Sequence, residues 1–160
     1  MEIKTIKIDI PEDLNVVIGQ SHFVKTAEDM YEILVGSSPQ LKFGIAFSEA
    51  SGPCLVRYEG NDEALIKRAC ETSLALSCGH TFVIFLKDGF PINVLNAIKA
   101  CHEVCHVFCA TANPLEVIVA VGDEGGGILG VIDGARPKGV EKEEDKKARK
   151  ELLRKFRYKL

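Results

Sequence analysis

No stretch of this chain is apolar for the roughly 20 residues that a membrane-spanning helix requires. The opening "MEIKTIKIDI" also lacks a hydrophobic block followed by a small-residue cleavage site, so the expectation is a cytoplasmic protein with no membrane partner. A surplus of positive charge is missing too. Lys and Arg number 20 against 23 Asp and Glu, a formal net charge of −3, which argues against a broad electrostatic grip on nucleic acid. No G-K-S/T follows the glycine-rich stretch, which excludes a Walker phosphate loop, and its spacing fails the G-x-G-x-x-G pattern that opens a helix. The C-x2-C spacing that a structural zinc site pairs with H-x3-H is absent, which removes the usual structural zinc site. No internal repeat is present.

What is present suffices for one domain over residues 1–160: 160 residues, 46% hydrophobic and 27% charged. The six cysteines of a cytosolic chain read as reduced thiols that pack like small apolar residues. Their densest patch, "CHEVCHVFCA", holds Cys101, His102, Cys105, His106 and Cys109. Those cysteines step by four, and Val107-Phe108 indicates that the segment is a strand. No metal site is expected there.

Alternation in Ile3 to Ile10 predicts a half-buried strand, broken by Pro11, and "LNVVIGQ" predicts a second. Thr26 with Asp29 resembles a capping box that opens a helix through Leu34. "LKFGIAFSEA" and "CLVRYEG" read as a hairpin turned at Ser51-Gly52-Pro53. Asn61 and Asp62 then cap a long helix, with Leu65, Ala69 and Leu76 on one face and Gly79 as its stop. "TFVIFL" is apolar at nearly every position, as in a central strand covered on both faces. Pro91 opens another helix, with Ile92, Leu95 and Ile98 expected inward. Strands near Val107–Thr111, Glu116–Val121 and Ile128–Ile132 complete an α/β fold, a single mixed β-sheet flanked by helices. Of the last 20 residues 14 are charged, and they read as a salt-bridged helix near 141–156. Its expected pairs are Glu143 with Lys147, Asp145 with Arg149 and Glu151 with Lys155, and Leu152, Leu153 and Phe156 are available to dock.

Three loops could carry chemistry. "GQSHFVKT" places Gln20, Ser21, His22 and Lys25 before a helix start, where free N–H groups suit an anion, although an ordinary polar loop explains it too. "GDEGGGILGVIDG" has three consecutive glycines that would let amides approach a phosphate, and a hairpin tip accounts for them equally well. "SCGHTF" sets His80 between a helix end and a buried strand. A neutral imidazole there can be fixed through one nitrogen and react through the other, or it can simply satisfy backbone groups.

Taken together, "GQSHFVKTAEDM", "FGIAFSEASGPCLVRYEGND", "CGHTFVIFL", "FPINVLNAIK", "ATANPLEVIVA" and "GILGVIDGARPKGVE" resemble the adenosine-specific kinase family, common in archaea and thermophilic bacteria. The resemblance implies a fold similar to that of phosphohistidine phosphatases, binding of adenosine and adenine nucleotides, and a stable phosphohistidine. The family's G-H-[ST]-F motif matches Gly79, His80, Thr81 and Phe82, which puts the phosphohistidine at His80, with His22 of "GQSHF" as the second candidate. It further implies ATP as phosphoryl donor, magnesium as its companion ion, and a homo-oligomer such as a trimer. Gln20, Lys25, Gly79, Asn113, Gly125, Gly126 and Gly127 become the expected nucleotide- and phosphate-binding positions. By charge and loop position, Arg57, Lys25 and Lys138 are candidate phosphate partners, and Asp123, Glu124 and Asp133 candidate magnesium ligands. The "CHEVCHVFC" patch and the ending "KFRYKL" depart from the family pattern. The rival reading is a module that senses adenine nucleotides without turnover. A phosphohistidine phosphatase is a third, resting on fold analogy.

Overall fold

Thr81 to Leu86 is buried at every position, and the reason is a layer of apolar side chains on each side of the strand that carries them. A computed structural model describes residues Met1–Leu160. In chain order the elements are β1 (Glu2–Ile8), β2 (Asn15–Ser21), α1 (Thr26–Ser37), β3 (Lys42–Ser48), β4 (Val56–Gly60), α2 (Glu63–Leu76), β5 (Thr81–Lys87), α3 (Pro91–Ala100), β6 (Val104–Thr111), β7 (Leu115–Val121), β8 (Gly126–Asp133) and α4 (Glu143–Lys155).

The strands form two sheets, ordered β4-β3-β5-β2-β6 and β1-β7-β8, instead of the expected single mixed sheet. Every paired strand is antiparallel to its neighbour. An apolar run reports burial on two faces but says nothing of strand direction. Here α1 carries the chain from β2 to β3, which run the same way, and β5 later inserts between them in the opposite sense.

Period-two alternation splits the core in two. Val16, Ile18, Val83 and Phe85 point to one side, where Leu65, Ala69 and Leu76 of α2 and Leu115, Val117 and Val119 of the small sheet cover them. Val17, Phe82, Ile84 and Leu86 point to the other, under Met30 and Leu34 of α1 and Val94 and Ile98 of α3.

Several local expectations need correction. Thr26 lies inside α1 and caps nothing; its hydroxyl donates to the Phe23 carbonyl (2.7 Å), and the helix continues to Ser37. Asp62 does cap α2, accepting from Leu65 N–H at 3.1 Å, while Asn61 instead bridges Leu41 and Phe43 beside it. The stop of α2 is Ser77 in the left-handed region (φ 51°), not Gly79. On α3, Ile92 is exposed and Val94 takes its expected place in the core. Helix α4 buries none of its residues, and its ion pairs are Lys146 with Glu143 and Arg149 with Glu141 instead of the four-apart pairs.

A candidate active site around His80

The carboxyl ends of β2 and β3 and the amino end of β5 lie side by side, because β5 runs against both neighbours. A cleft of about 500 Å³ opens there. It is bounded by the last turn of α2, the β3–β4 loop and the tip of the β7–β8 hairpin. Gln20, Gly79, His80, Glu124, Gly125 and Gly126 line it, so five of the expected site residues and one candidate metal ligand meet in one place.

His80 is held from two sides. Its N–H donates to the Ser48 carbonyl at the end of β3 (2.8 Å), and its carbonyl accepts from Ser21 N–H at the end of β2 (2.9 Å). Its φ is +57°, a left-handed conformation that costs a non-glycine residue about 1–3 kcal/mol and persists only where the surroundings dictate it. The ring lies roughly parallel to Phe47, with centroids 5.9 Å apart. His22 meets it edge-on at 6.1 Å, so the two candidate histidines form one pair although 58 positions separate them in sequence. Gly79 is required by space: a Cβ there would lie 2.9 Å from Ala50 Cβ.

The hairpin tip docks through Gly126, which bridges to Cys78; a Cβ on Gly126 would sit 2.7 Å from the Ser77 carbonyl oxygen. The glycines are therefore a hairpin tip and a cleft wall at once. Glu49, with its side chain 12% exposed, accepts from Leu55 N–H (2.9 Å) and from Arg57 (2.9 Å). The backbone N–H of Leu55 first, and then Arg57, lower its carboxyl pKa against the opposing effect of burial.

Other expected positions lie elsewhere. Gly127 is outside the cleft lining. Asn113 sits at the far end of the β7–β8 hairpin and donates to Asp133 (3.1 Å), which also accepts from Thr111 (2.7 Å), so Asp133 belongs to a structural turn. Lys138 and Asp123 are exposed and do not line the cleft. Arg57 reaches it only through Glu49. His102 and His106 are exposed, with His106 packed on Phe108.

Lys25 is engaged on a different face, bonded to Asp29 and to Glu103 (2.7 Å). Glu103, 8% exposed, also accepts from the Cys101 thiol (3.0 Å), and its carbonyl accepts from His22 N–H (2.6 Å). Donor atoms of Asp29, Cys101 and Glu103 lie within 4.8 Å of one another, a grouping that the cysteine spacing did not reveal. Burial, then Glu103, pushes the Cys101 thiol up to about 11. Burial alone would raise Glu103, but hydrogen bonds from Cys101 and Lys25 outweigh it and bring its pKa down to about 2, from 4.5. A depressed carboxylate pKa means stability that is complete above the ordinary value and is lost as pH falls toward the folded value. Glu103→Gln is therefore expected to cost about 2 kcal/mol near neutrality, as loss of hydrogen bonds to a charged group does. In thermal unfolding, the gap between variant and wild type should close between about pH 5 and about pH 2. A gap independent of pH would contradict this account.

Among the cleft residues that the sequence did not point to are Ser48 and Ser73, whose hydroxyls bond each other at 2.7 Å. The clue existed for Ser73. It continues the buried stripe Leu65, Ala69, Leu76 of α2, where a polar residue is out of place unless it has a partner or a task.

A family model described as adenosine specific kinase matches residues 6–159. The chain belongs to that family. This adenosine specific kinase family member is also similar to a solved structure, the crystal structure of the PH1918 protein from Pyrococcus horikoshii OT3. The two share 42% identity with a TM-score of 0.95, over 99% of this chain and 98% of the other. Among curated proteins none matches. No helix is long and apolar enough to cross a membrane.

Proposed function

We propose that this family member transfers the γ-phosphoryl group of ATP to a hydroxyl of adenosine, releasing AMP and ADP, in the cleft around His80. The observation that carries the reading is the fixed His80 main chain, pinned at φ +57° in a cleft that Gly125 and Gly126 also line. Phosphoryl transfer depends more on positioning and charge neutralisation than on protein covalency, and a rigidly placed imidazole suits it. In this scheme a ring nitrogen of His80 bonds to the γ-phosphorus as the bond to the departing ADP oxygen breaks. The adenosine hydroxyl then attacks that phosphorus, the P–N bond breaks, and the hydroxyl proton passes to a nearby base such as the His22 imidazole. The same phosphohistidine could equally persist as a stable regulatory state.

No lysine or arginine lines the cleft, whereas Glu49 and Glu124 do. That donor set fits a magnesium-loaded nucleotide better than bare polyphosphate. Glu124 would hold the ion, since Glu49 is occupied by Arg57 and Leu55, and the ion would offset charge on the phosphates. The same shortage of positive charge supports the second reading, a module that senses adenine nucleotides without turnover. A homo-oligomer belongs to the proposal, and the exposed Leu152 of α4 and Phe156 just beyond it support it. A kinship of fold with phosphohistidine phosphatases is part of it as well.

The deciding experiment incubates purified protein with ATP, magnesium and adenosine and separates the products. Stoichiometric AMP and ADP are expected. Tight nucleotide binding without AMP would favour the sensing module.

A further inference from the structure

The Ser48–Ser73 pair is an unusual thing to find between a strand and a helix that otherwise meet through apolar side chains. Ser73 is 1% exposed and Ser48 8% exposed, and both lie on the cleft wall. Ser73 occupies the buried face of α2, where Leu65, Ala69 and Leu76 are core. Two hydroxyls carry two hydrogens and four acceptor sites between them. Their mutual bond of 2.7 Å uses one hydrogen and one acceptor site, leaving a hydrogen and lone pairs to satisfy. Leu55, Val56 and Leu74 line the same cleft, so nearby wall area is apolar. The pair also adjoins the candidate reacting group directly, because the Ser48 carbonyl is the acceptor for His80 N–H.

We infer that the Ser48–Ser73 hydroxyl pair recognises the vicinal diol of a ribose, making the cleft selective for ribonucleosides over sugars that lack the diol. A diol presents two donors and two acceptors at short spacing, which matches a bonded pair of serine hydroxyls with capacity to spare. Placement next to His80 agrees with the chemistry, since in a nucleoside the diol lies on the same ring that carries the primary hydroxyl. A site built to hydrogen-bond a substrate hydroxyl rejects the analogue without it strongly, because its own buried groups are then left unpaired. The inference rests on the reading that adenosine is the ligand.

Calorimetric titration of the full chain with adenosine and with 2′,3′-dideoxyadenosine tests both layers separately. Wild type is expected to bind adenosine at least about tenfold more tightly than the dideoxy analogue. Ser73→Ala is expected to bring the two affinities within about twofold by weakening adenosine alone. Ser48→Ala, which keeps the backbone acceptor for His80, should do the same and serves if Ser73→Ala fails to fold. Equal affinities in wild type, or an undiminished ratio in both folded variants, would overturn the inference while leaving adenosine as ligand. Binding of neither compound would remove the adenosine reading and the inference with it.

Discussion

His80→Asn is expected to abolish acid-labile, alkali-stable incorporation of phosphate from ATP while leaving the fold intact. Asparagine is the replacement of choice because it tolerates the left-handed region better than other non-glycine residues, so the φ of +57° survives the change. The two main-chain hydrogen bonds to Ser21 and Ser48 need no imidazole. What disappears is the ring, stacked on Phe47 and facing His22. A reacting group must be held to within about half an ångström, and no other histidine is anchored by two strand ends in this way. His102→Ala and His106→Ala, both at exposed positions outside the cleft, should change incorporation little. Full incorporation in His80→Asn would defeat the assignment. Loss in His22→Ala alone would move the phosphorylated residue to His22.

Gly44→Ala should be the most damaging small substitution in the fold. Gly44 sits in β3 opposite Phe85 of β5 and Gly60 of β4, directly beneath α2. A Cβ there would lie 2.2 Å from Ile66 N and 2.2 Å from the Leu65 carbonyl carbon. Those are helix backbone atoms, which cannot rotate away as a side-chain tip would. The helix must move as a body, and its last turn supplies Ser73, Leu74 and Ser77 to the cleft. Overpacking ordinarily costs about 1–3 kcal/mol, and a backbone clash belongs at or above the top of that range. For a chain of this size the midpoint of thermal unfolding should drop by about 10 °C. Nucleotide affinity should weaken with it. A midpoint within about 2 °C of wild type would show that α2 rides on β3 less tightly than the geometry indicates.

Local chemistry made much of this molecule readable. Apolar runs and breakers placed the strands and helices because burial and turn formation are properties of neighbouring residues, and "TFVIFL" read as a strand covered on both faces. Asp62 announced a helix start because its side chain bonds an N–H three residues on. The motif around Gly79 and His80 pointed to the candidate site before any geometry was known. Strand direction stayed hidden, since an antiparallel β5 and a parallel one would need the same apolar residues. So did the destination of each charge. Lys25 stands in the same loop as His22, yet Asp29 and Glu103 claim it on another face, and Glu103 comes from 78 positions away. The meeting of His22 with His80, the docking of Gly126 on Cys78 and the Ser48–Ser73 bond join segments that are distant along the chain. Such contacts exist only once β5 has inserted between β2 and β3 and brought their ends together, because long-range proximity is set by topology and packing, which no local pattern of residue types encodes.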